Sequence, residues 1–505
     1  MDKFSDTVIA FDSTGDMTGL MNYFNENKPT IHELLPCLQR LLRERHFSAA
    51  YLLSMSVRGK AREIALIQLV QAAGGLLFDN LENEANGIKG LGQAVDALPP
   101  SERDSFYTDV MKWTIANLLT IMWGEDSPRV IRVLKILQAG TPRMRAVFDL
   151  DVEPTPIDLR QMRARIIDVH PPAPGSARRP HRGVVAIRNA FFPQKPDSRI
   201  LEVNACLVFA MQSYGWHAVH YPMACNDFES KYREIVALCE HEQADLLLFD
   251  DHFIDRDPVL RDRNAMITHL RRTMPDLKIV AVHLDPWMLT ESLLVDVLAA
   301  VDAVWTPCFP HLPLWRHPSL RNKVILAPFP KFGIVLEPST PIAPRMLFRG
   351  GIKGYNWHRA FWMAASLGYG LPIEWQLSSH RADGLSPQES FAVYMKDMAR
   401  VGCIVSFSMR PDMVSMAVGR SYEVLNAGSL LVQEASDDMD YYFIAGEHYI
   451  EFSTFSDLRA IFRFLETNPE EAEDIRRRGF EFAKQHYSDE NIIGNLERVL
   501  FFPEQ

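Results

Sequence analysis

The sequence predicts an α/β protein in which two tandem units of parallel strands and crossover helices follow an all-helical domain. Three observations predict this fold. Apolar residues recur at helical spacing over the first third of the 505-residue chain. Short apolar runs then alternate with helical segments of about 15 to 25 residues. The same alternation begins again near Pro344, so we expect two sheets rather than one.

The length and composition are those of a multidomain globular protein. At roughly 100 to 200 residues per domain, 505 residues should form about three domains. An apolar share of 47% and a charged share of 23% leave enough apolar surface for a buried core. The net charge of −11 argues against a nucleic-acid partner, because binding to a phosphate backbone needs a clustered basic face.

Compartment signals point to a cytoplasmic protein without a transmembrane segment. The six cysteines are scattered with no CxxC pair, which fits neither a zinc site nor a disulfide framework. The N-terminus carries acidic residues and no continuous apolar stretch, unlike a secretory signal peptide. No uninterrupted apolar run approaches the roughly 20 residues of a membrane span.

The helical domain is predicted over residues 1–150 and a linker over residues 151–182. Helical spacing is clearest in the segment IHELLPCLQRLLRERHFSAAYLLSM, which begins at Ile31. The linker includes PPAPGSARRPHR, residues 171–182, which combines proline, glycine and arginine with almost no apolar content. Such a composition is typical of an exposed connector between domains.

Two Rossmann-like domains are predicted over residues 183–335 and 336–505. Alternating apolar runs and helical segments predict parallel strands with crossover helices. The predicted strands are GVVAIR (183–188), HAVHYP (217–222), ADLLLFDD (244–251), KIVAVHLD (278–285), DAVWTPC (302–308), KVILAPFP (323–330), RMLFRGG (345–351), PIEWQLSS (372–379), CIVSFS (403–408) and SLLVQEA (429–435). Ligands bind beyond the carboxyl ends of such strands, so two facing domains predict a cleft between them.

The segment GRSYEVLNAGSLLVQEA, residues 419–435, carries the predicted ligand-binding residues. A helix N-terminus at Gly419 and Ser421 offers backbone N–H groups to a diphosphate, and Arg420 adds charge-assisted hydrogen bonds. One turn later, the Glu423 carboxylate can accept hydrogen bonds from both vicinal hydroxyls of a ribose. A solvated helix carboxylate and a surface ion pair are the alternative interpretations of Glu423 and Arg420.

This segment and the residues after it resemble the donor-binding block of a glycosyltransferase family. The matching positions are Arg420, Tyr422, Glu423, Gly428, Phe443, Gly446, Glu447, Phe452, Asp457 and Leu458. They resemble the spore-maturation-type (CgeB-like) proteins among the bacterial-type glycosyl transferases of group 1, mainly over residues 400–500. The resemblance implies the GT-B architecture, with the donor bound by residues 336–505 and the acceptor approached through residues 183–335. It also implies transfer of a sugar from a nucleoside-diphosphate-sugar donor to an acceptor hydroxyl.

The resemblance assigns Glu423 as the ribose-binding carboxylate. In retaining GT-B families a second glutamate lies eight positions earlier, where this chain has Ser415, so the stereochemical outcome stays open. The loop FRGGIKGYNWHR adds Arg349, Gly351 and Lys353 after a predicted strand. Glycines let the backbone approach a phosphate and the two cations can neutralise a leaving diphosphate, although a simple flexible turn would have the same composition.

The predicted catalytic residues are Asp251, His252 and Asp285, which lie at strand ends of the first Rossmann-like domain. A carboxylate or imidazole there can remove the proton of an acceptor hydroxyl, and helix caps or strand-end hydrogen bonds are the alternative. The DxD pattern at residues 255–257 is attributed to chance. No cofactor and no metal are expected, because cationic side chains and a helix N-terminus can stabilise the diphosphate.

The expected partners are the nucleotide-sugar donor and an acceptor that is a protein or a glycan. The helical domain is expected to recognise the acceptor or another partner. Two other functions stay open: a non-catalytic binding or scaffolding protein with the same architecture, and a nucleotide-sugar epimerase. Ser415 in place of a carboxylate, and the absence of a glycine-rich loop near Arg188, are compatible with either.

Overall fold

A computed structural model describes the chain in separate stretches. The described residues are 3–14, 16–28, 30–44, 47–56, 147–159, 183–190, 202–224, 228–250, 257–282, 298, 300–307, 319–320, 323–351, 357–377, 385–408, 417–436 and 438–501. They divide between two compact units. The first unit comprises residues within Met1–Thr155, Ile352–Pro372 and Thr454–Arg459, and the second comprises residues within Pro156–Gly351, Ile373–Ser453 and Ala460–Gln505.

The described part of the first unit is helical. Its helices are α1 (Lys3–Thr14), α2 (Met17–Asn27), α3 (Ile31–Glu44), α4 (Phe47–Ser56) and, later in the chain, α8 (Trp357–Gly368). Helices α1 to α4 enclose an apolar cluster that includes Val8, Leu20 and Leu38. The Asp16 carboxylate caps α2 by accepting a hydrogen bond from the Gly19 N–H at 2.8 Å. Residues 57–146 lie outside the described residues, so the helices predicted there stay a prediction.

The second unit contains a six-stranded sheet and a five-stranded sheet. The first sheet is formed by β1 (Gly183–Ala190), β2 (His217–Ala224), β3 (Ala244–Asp250), β4 (Lys278–Val282), β5 (Ala303–Thr306) and β6 (Val324–Leu326). Helices α5 (Glu202–Ser213), α6 (Phe228–His241) and α7 (Asp257–Thr273) connect successive strands. All neighbouring strands pair in parallel, in the order β2-β1-β3-β4-β5-β6. This confirms the predicted parallel α/β pattern.

The five-stranded sheet repeats this pattern. Its strands are β7 (Met346–Arg349), β8 (Ile373–Gln376), β9 (Cys403–Ser406), β10 (Leu430–Glu434) and β11 (Ile450–Phe452). The accompanying helices are α9 (Pro387–Val401), α10 (Gly419–Asn426), α11 (Phe455–Thr467), α12 (Pro469–His486) and α13 (Asp489–Phe501). The pairing is again parallel, in the order β11-β10-β9-β7-β8. Strand β11 was not among the predicted strands.

In both sheets the first strand along the chain lies in the interior, with later strands added on both sides of it. In the first sheet β1 lies between β2 and β3, and in the second β7 lies between β8 and β9. Such a switch point leaves a crevice beyond the carboxyl ends of the two central strands, where parallel α/β folds bind ligands. In the second sheet this crevice follows Arg349 at the end of β7 and Ser406 at the end of β9.

The segment after β6 packs against the second sheet and its helices. Phe332 belongs to the buried cluster that also includes Tyr422 and Leu431. The Leu336 N–H donates to the Asn426 carbonyl at 2.8 Å, at the end of α10. These contacts fix the position of the segment between β6 and β7 relative to α10. We call this segment, residues 327–345, the connecting segment.

The domain boundaries predicted at residues 150, 182 and 335 stay predictions. Among the helices that the structure describes, none is long and apolar enough to cross a membrane.

Gly428 provides a test of how closely the connecting segment packs. Gly428 has φ +62°, and a Cβ there would lie 2.5 Å from the Leu336 carbonyl oxygen. Gly333 has the same φ of +62°, but its nearest neighbour would be a Phe209 ring atom at 3.9 Å. Left-handed backbone costs alanine about 1 kcal/mol at either position, so Gly333→Ala should lower the unfolding free energy by that amount. Gly428→Ala should lower it by about 3 kcal/mol or more, because backbone atoms must also move.

Urea denaturation of both variants checks this expectation. Equal losses of unfolding free energy would contradict the close approach between Gly428 and the connecting segment.

Candidate functional site

The candidate site begins at the carboxyl end of β7, where Gly350 follows Arg349. Gly350 has φ +155°, which disfavours other residues, and its N–H donates to the Gln376 carbonyl at 3.0 Å. A Cβ at this position would lie 2.8 Å from Nη2 of Arg420. The glycine therefore leaves the space that the Arg420 guanidinium occupies beside the end of β7.

The N-terminus of helix α10 also lies beside the end of β7. The residue before the helix, Val418, provides no side-chain cap, but its carbonyl accepts the Ser421 N–H at 2.9 Å. An anion at this helix end would therefore meet the N–H groups of Gly419 and Arg420. Gly419 is exposed, and a Cβ there would lie 3.4 Å from both Glu423 Oε1 and Lys331 Nζ. The first turn of α10 thus lies directly against the Glu423 carboxylate.

Glu423 is enclosed rather than solvated. Its Oε1 accepts a hydrogen bond from the Lys331 ammonium at 2.8 Å, and its Oε2 accepts one from the Tyr394 hydroxyl at 2.8 Å. The side chains of Lys331 and Glu423 are only 11% and 13% exposed. These two hydrogen bonds fix the orientation of the carboxylate, and each oxygen keeps a lone pair that can accept another hydrogen bond.

The protonation of Glu423 follows from these contacts. Burial alone would raise its pKa, but the nearby Lys331 charge and the hydrogen bonds from Lys331 and Tyr394 act in the opposite direction, with a further contribution from Arg420. The pKa of Glu423 is therefore held below its ordinary value. The side chain is a carboxylate at neutral pH and can only accept hydrogen bonds.

Lys331 is positioned through its backbone by the last helix. The Asp489 carboxylate, at the start of α13, accepts hydrogen bonds from the Lys331 N–H at 2.7 Å and the Gly333 N–H at 2.6 Å. Burial raises the pKa of Asp489 above its ordinary value, although these hydrogen bonds and the Lys331 charge oppose the rise. The turn that carries Lys331 is thus fixed to α13.

Two arginines complete the site. Arg420 Nε donates to the Tyr394 hydroxyl at 3.4 Å, and its guanidinium lies over the Phe348 ring at 5.3 Å. Among the residues that the structure describes, no carboxylate pairs with Arg420. Arg349 differs, because it pairs with Asp397 at 2.5 Å while lying over the Tyr394 ring at 5.0 Å. We call Lys331, Arg349, Tyr394, Arg420 and Glu423 the donor cluster.

Of the sequence-predicted residues, the structure brings together Arg349, Gly419, Arg420 and Glu423. Ser421 does not fit its predicted part, because its backbone N–H donates to the Val418 carbonyl at 2.9 Å and its buried hydroxyl donates to Gln433 on β10 at 2.9 Å. Gly351 directly follows Gly350 at the end of β7.

The remaining predicted site residues are not described. Lys353, Asp251, His252 and Asp285 lie outside the described residues, so their roles stay predictions. In the parts of the chain that the structure describes, no group of three or more acidic, histidine or cysteine side chains could hold a metal ion. Residues 255 and 256 of the DxD pattern are not described either.

Sequence reasoning missed Lys331 and Tyr394. A signal for Lys331 exists, because it is a lone cation inside the apolar run VILAPFPKFGIVL, and a buried lysine needs a partner. Tyr394 has no such signal. It lies on α9, three residues after the buried Phe391, and is equally compatible with a plain amphipathic helix.

Part of the sequence, which contains four strands of the second sheet, matches a known family. Residues 357–498 match the family described as glycosyl transferase-like. The matched region includes Tyr394, Arg420 and Glu423, whereas Lys331 and Arg349 precede it. This region of the chain is glycosyltransferase-like. The match confirms the predicted resemblance to group 1 glycosyltransferases. The narrower spore-maturation type stays a prediction.

Several solved structures are similar in a general way. HepE of Anabaena in complex with UDP and glucose is 13% identical, with a TM-score of 0.42 over 63% of this chain and 99% of that chain. Sucrose-phosphate synthase of Thermosynechococcus elongatus is 11% identical, with a TM-score of 0.42 over 64% and 100%. UDP-GlcNAc 2-epimerase of Neisseria meningitidis bound to UDP-GlcNAc is 10% identical, with a TM-score of 0.36 over 63% and 100%. The chain has no significant sequence match among curated proteins.

The ion pair of Glu423 predicts a pH-dependent stability. Because the folded-state pKa of Glu423 is lowered, its contribution is present above the ordinary value of about 4.3 and is lost as the pH falls through the folded-state value. Glu423→Gln should therefore lower the unfolding free energy by about 3 kcal/mol at pH 7. The difference from wild type should shrink below about pH 4.3.

Urea denaturation of wild type and variant between pH 3 and pH 7 measures this difference. A difference that stays constant across this range would show that the ionised form of Glu423 is not what the fold stabilises.

Proposed function

We propose that the protein is a metal-independent glycosyltransferase of the GT-B architecture that uses a nucleoside-diphosphate-sugar donor. In the reaction, the bond between the anomeric carbon and the diphosphate oxygen breaks, and a bond between that carbon and an acceptor oxygen forms. The acceptor proton passes to a protein base, and the nucleoside diphosphate leaves with the electron pair of the broken bond.

The donor cluster supplies the groups that a nucleoside diphosphate needs. Glu423 accepts hydrogen bonds from the two ribose hydroxyls through the lone pairs that Lys331 and Tyr394 leave available. The diphosphate lies against the N-terminus of α10 and the guanidinium of Arg420. Gly351 and Lys353, which follow β7 in the sequence, are proposed to contribute a backbone N–H and a positive charge. Arg349, although paired with Asp397, is proposed to contribute a further hydrogen-bond donor.

The observation that carries this proposal is that Arg420 and Glu423 form no direct ion pair with each other, although both contact the Tyr394 hydroxyl. They lie three positions apart on one helix, a spacing at which an ion pair commonly forms. Instead, Glu423 binds Lys331 and Tyr394, while no described carboxylate pairs with Arg420. Within the described residues, one helical turn therefore offers a hydrogen-bond acceptor and a guanidinium without a carboxylate partner side by side. A ribose with an attached diphosphate needs that combination.

The acceptor is assigned to the first sheet. In the sequence, Asp251 and His252 directly follow β3, and Asp285 comes three positions after the end of β4. One of them is proposed to remove the acceptor proton. The acceptor is proposed to be a protein or a glycan that the N-terminal helical region recognises.

Negative charge on the leaving diphosphate is proposed to be stabilised by the donor cluster and the α10 N-terminus rather than by a metal. Turnover in the presence of excess EDTA would support this part of the proposal. Loss of turnover that Mg²⁺ or Mn²⁺ restores would contradict it.

A donor panel tests the proposed reaction. The protein is incubated with UDP-, GDP- and other nucleotide sugars, and free nucleoside diphosphate is measured. Slow release of nucleoside diphosphate from one donor supports a transferase. Interconversion of donor sugars without an acceptor would indicate an epimerase, and nucleotide binding without either reaction would indicate a binding protein.

Arg420→Gln and Glu423→Gln should each weaken binding of the nucleoside diphosphate roughly tenfold or more, because a charge-assisted hydrogen bond is lost. Glu374→Gln is the matched control, since Glu374 is an exposed β8 carboxylate paired with Arg400. Isothermal titration with UDP and GDP at low temperature, where all variants are folded, measures the effect. Equal affinity in all three variants would place the nucleotide elsewhere.

Lys331→Met should shift the pH dependence of nucleotide binding. Wild-type binding is expected to fail as acid protonates Glu423 at a pH below its ordinary pKa. Without Lys331, burial is opposed by the Tyr394 hydrogen bond and the Arg420 charge alone, so the pKa of Glu423 should be higher than in wild type. Binding by the variant should therefore fail at a higher pH. An unchanged acid limb in a titration series from pH 4 to pH 8 would exclude Lys331 as a positioning residue.

A further inference from the structure

Arg420 and Glu423 share one contact, the hydroxyl of Tyr394. This hydroxyl donates a hydrogen bond to Oε2 of Glu423 at 2.8 Å and accepts one from Nε of Arg420 at 3.4 Å. A tyrosine hydroxyl has one proton and two lone pairs, so it can make both hydrogen bonds at once. The Tyr394 hydroxyl therefore connects the two charged groups.

A direct ion pair between the arginine and the glutamate would be expected from their spacing. They lie three positions apart on α10, where side chains of opposite charge are neighbours. Partial enclosure also strengthens their attraction relative to bulk water. However, Oε1 of Glu423 is bound by Lys331 and Oε2 by Tyr394. The Tyr394 hydroxyl is thus hydrogen-bonded to an oxygen that Arg420 could otherwise bind.

Arg420 instead occupies a position with weaker contacts. Its guanidinium lies over the Phe348 ring at 5.3 Å, in the space that Gly350 leaves beside the end of β7. A cation over an aromatic ring is held less strongly than a cation hydrogen-bonded to a carboxylate. We therefore expect the guanidinium to move to Glu423 once an oxygen of that carboxylate loses its donor.

The Tyr394 side chain is fixed by contacts of its own. Its ring packs against Phe391 with the centroids 5.7 Å apart, and the Arg349 guanidinium lies over it at 5.0 Å. Burial and the nearby Glu423 charge raise the pKa of the hydroxyl above its ordinary value, against the opposing effect of Arg420. The hydroxyl therefore keeps its proton at neutral pH and remains a donor to Glu423.

We propose that Tyr394 is a positioning residue of the nucleotide site, whose hydroxyl prevents an ion pair between Arg420 and Glu423. The guanidinium then stays available to the diphosphate, and the carboxylate stays available to the ribose hydroxyls. The nucleotide part of this inference rests on the proposed function. The separation of the two residues is a property of the ligand-free protein and can be tested without any nucleotide.

The ligand-free crystal structure of Tyr394→Phe tests the separation. Phenylalanine keeps the ring with its packing contacts and removes only the hydroxyl. The Arg420 guanidinium should leave Phe348 and bind Glu423 at about 2.7–2.9 Å. An Arg420 side chain that stays over Phe348, without contact to Glu423, would overturn the proposal.

Tyr369→Phe is the matched control, because it also removes a hydrogen-bonded tyrosine hydroxyl. The Tyr369 hydroxyl donates to the Leu150 carbonyl at 2.6 Å, and the residue is not part of the donor cluster. In this variant Arg420 should lie over Phe348 as in wild type. Movement of Arg420 to Glu423 in the control as well would contradict a specific role of the Tyr394 hydroxyl.

Calorimetric titration with UDP and GDP tests the consequence for binding. Tyr394→Phe should weaken binding of the nucleotide that wild type binds by roughly tenfold, because Arg420 and Glu423 then neutralise each other. In the Arg420→Gln background the same substitution should weaken binding only about twofold, since no guanidinium remains to pair with Glu423. A merely structural hydroxyl would give equal fold losses in both backgrounds, and that result would overturn the proposal.

Failure of the proposed function would give a different set of results. Wild type would then bind neither UDP nor GDP, whatever the state of Tyr394. The ligand-free structures of Tyr394→Phe and Tyr369→Phe would still show whether the Tyr394 hydroxyl keeps Arg420 and Glu423 apart. The two failures are therefore distinguishable.

Discussion

The ion pair between Lys331 and Glu423 is the interaction on which the donor cluster depends. It joins residues 92 positions apart, one on the connecting segment and one on α10. Two largely buried charges are tolerated only when each has its partner in good geometry. Asp489 holds the backbone of Lys331, and Leu336 binds the end of α10. The placement of Glu423 therefore follows from how the connecting segment packs, as well as from α10 itself.

The topology explains why the cluster forms where it does. Both sheets have their switch point beside their first strand, and in the second sheet this places the ends of β7 and β9 next to each other. Arg349 lies at the end of β7, and α10 follows β9 with its N-terminus at Gly419. Gly350 then allows Arg420 to approach the backbone. The end of β7, the N-terminus of α10 and Gly350 thus lie next to each other. The strand order brings them together, and no long-range sequence motif is needed.

Local features of this kind were predictable from the sequence, and tertiary ones were not. The ten predicted strands overlap the ten strands β1 to β10, because apolar runs and the helical segments between them are local patterns. Strand β11 has three residues in the sequence HYIEFS, too short for a recognisable run. Arg420 and Glu423 share one helix and could be identified together. Lys331 and Tyr394 reach Glu423 only through the folded chain, so spacing carries no information about them.

The proposed role of Glu423 is to bind the ribose of a nucleoside diphosphate, and a crystal structure of the protein soaked with UDP or GDP tests it. Both ribose hydroxyls should lie within about 2.5–3.0 Å of the Glu423 oxygens, with the diphosphate against Arg420 and the N-terminus of α10. A nucleotide bound away from α10, with Glu423 in contact only with Lys331 and Tyr394, would contradict it.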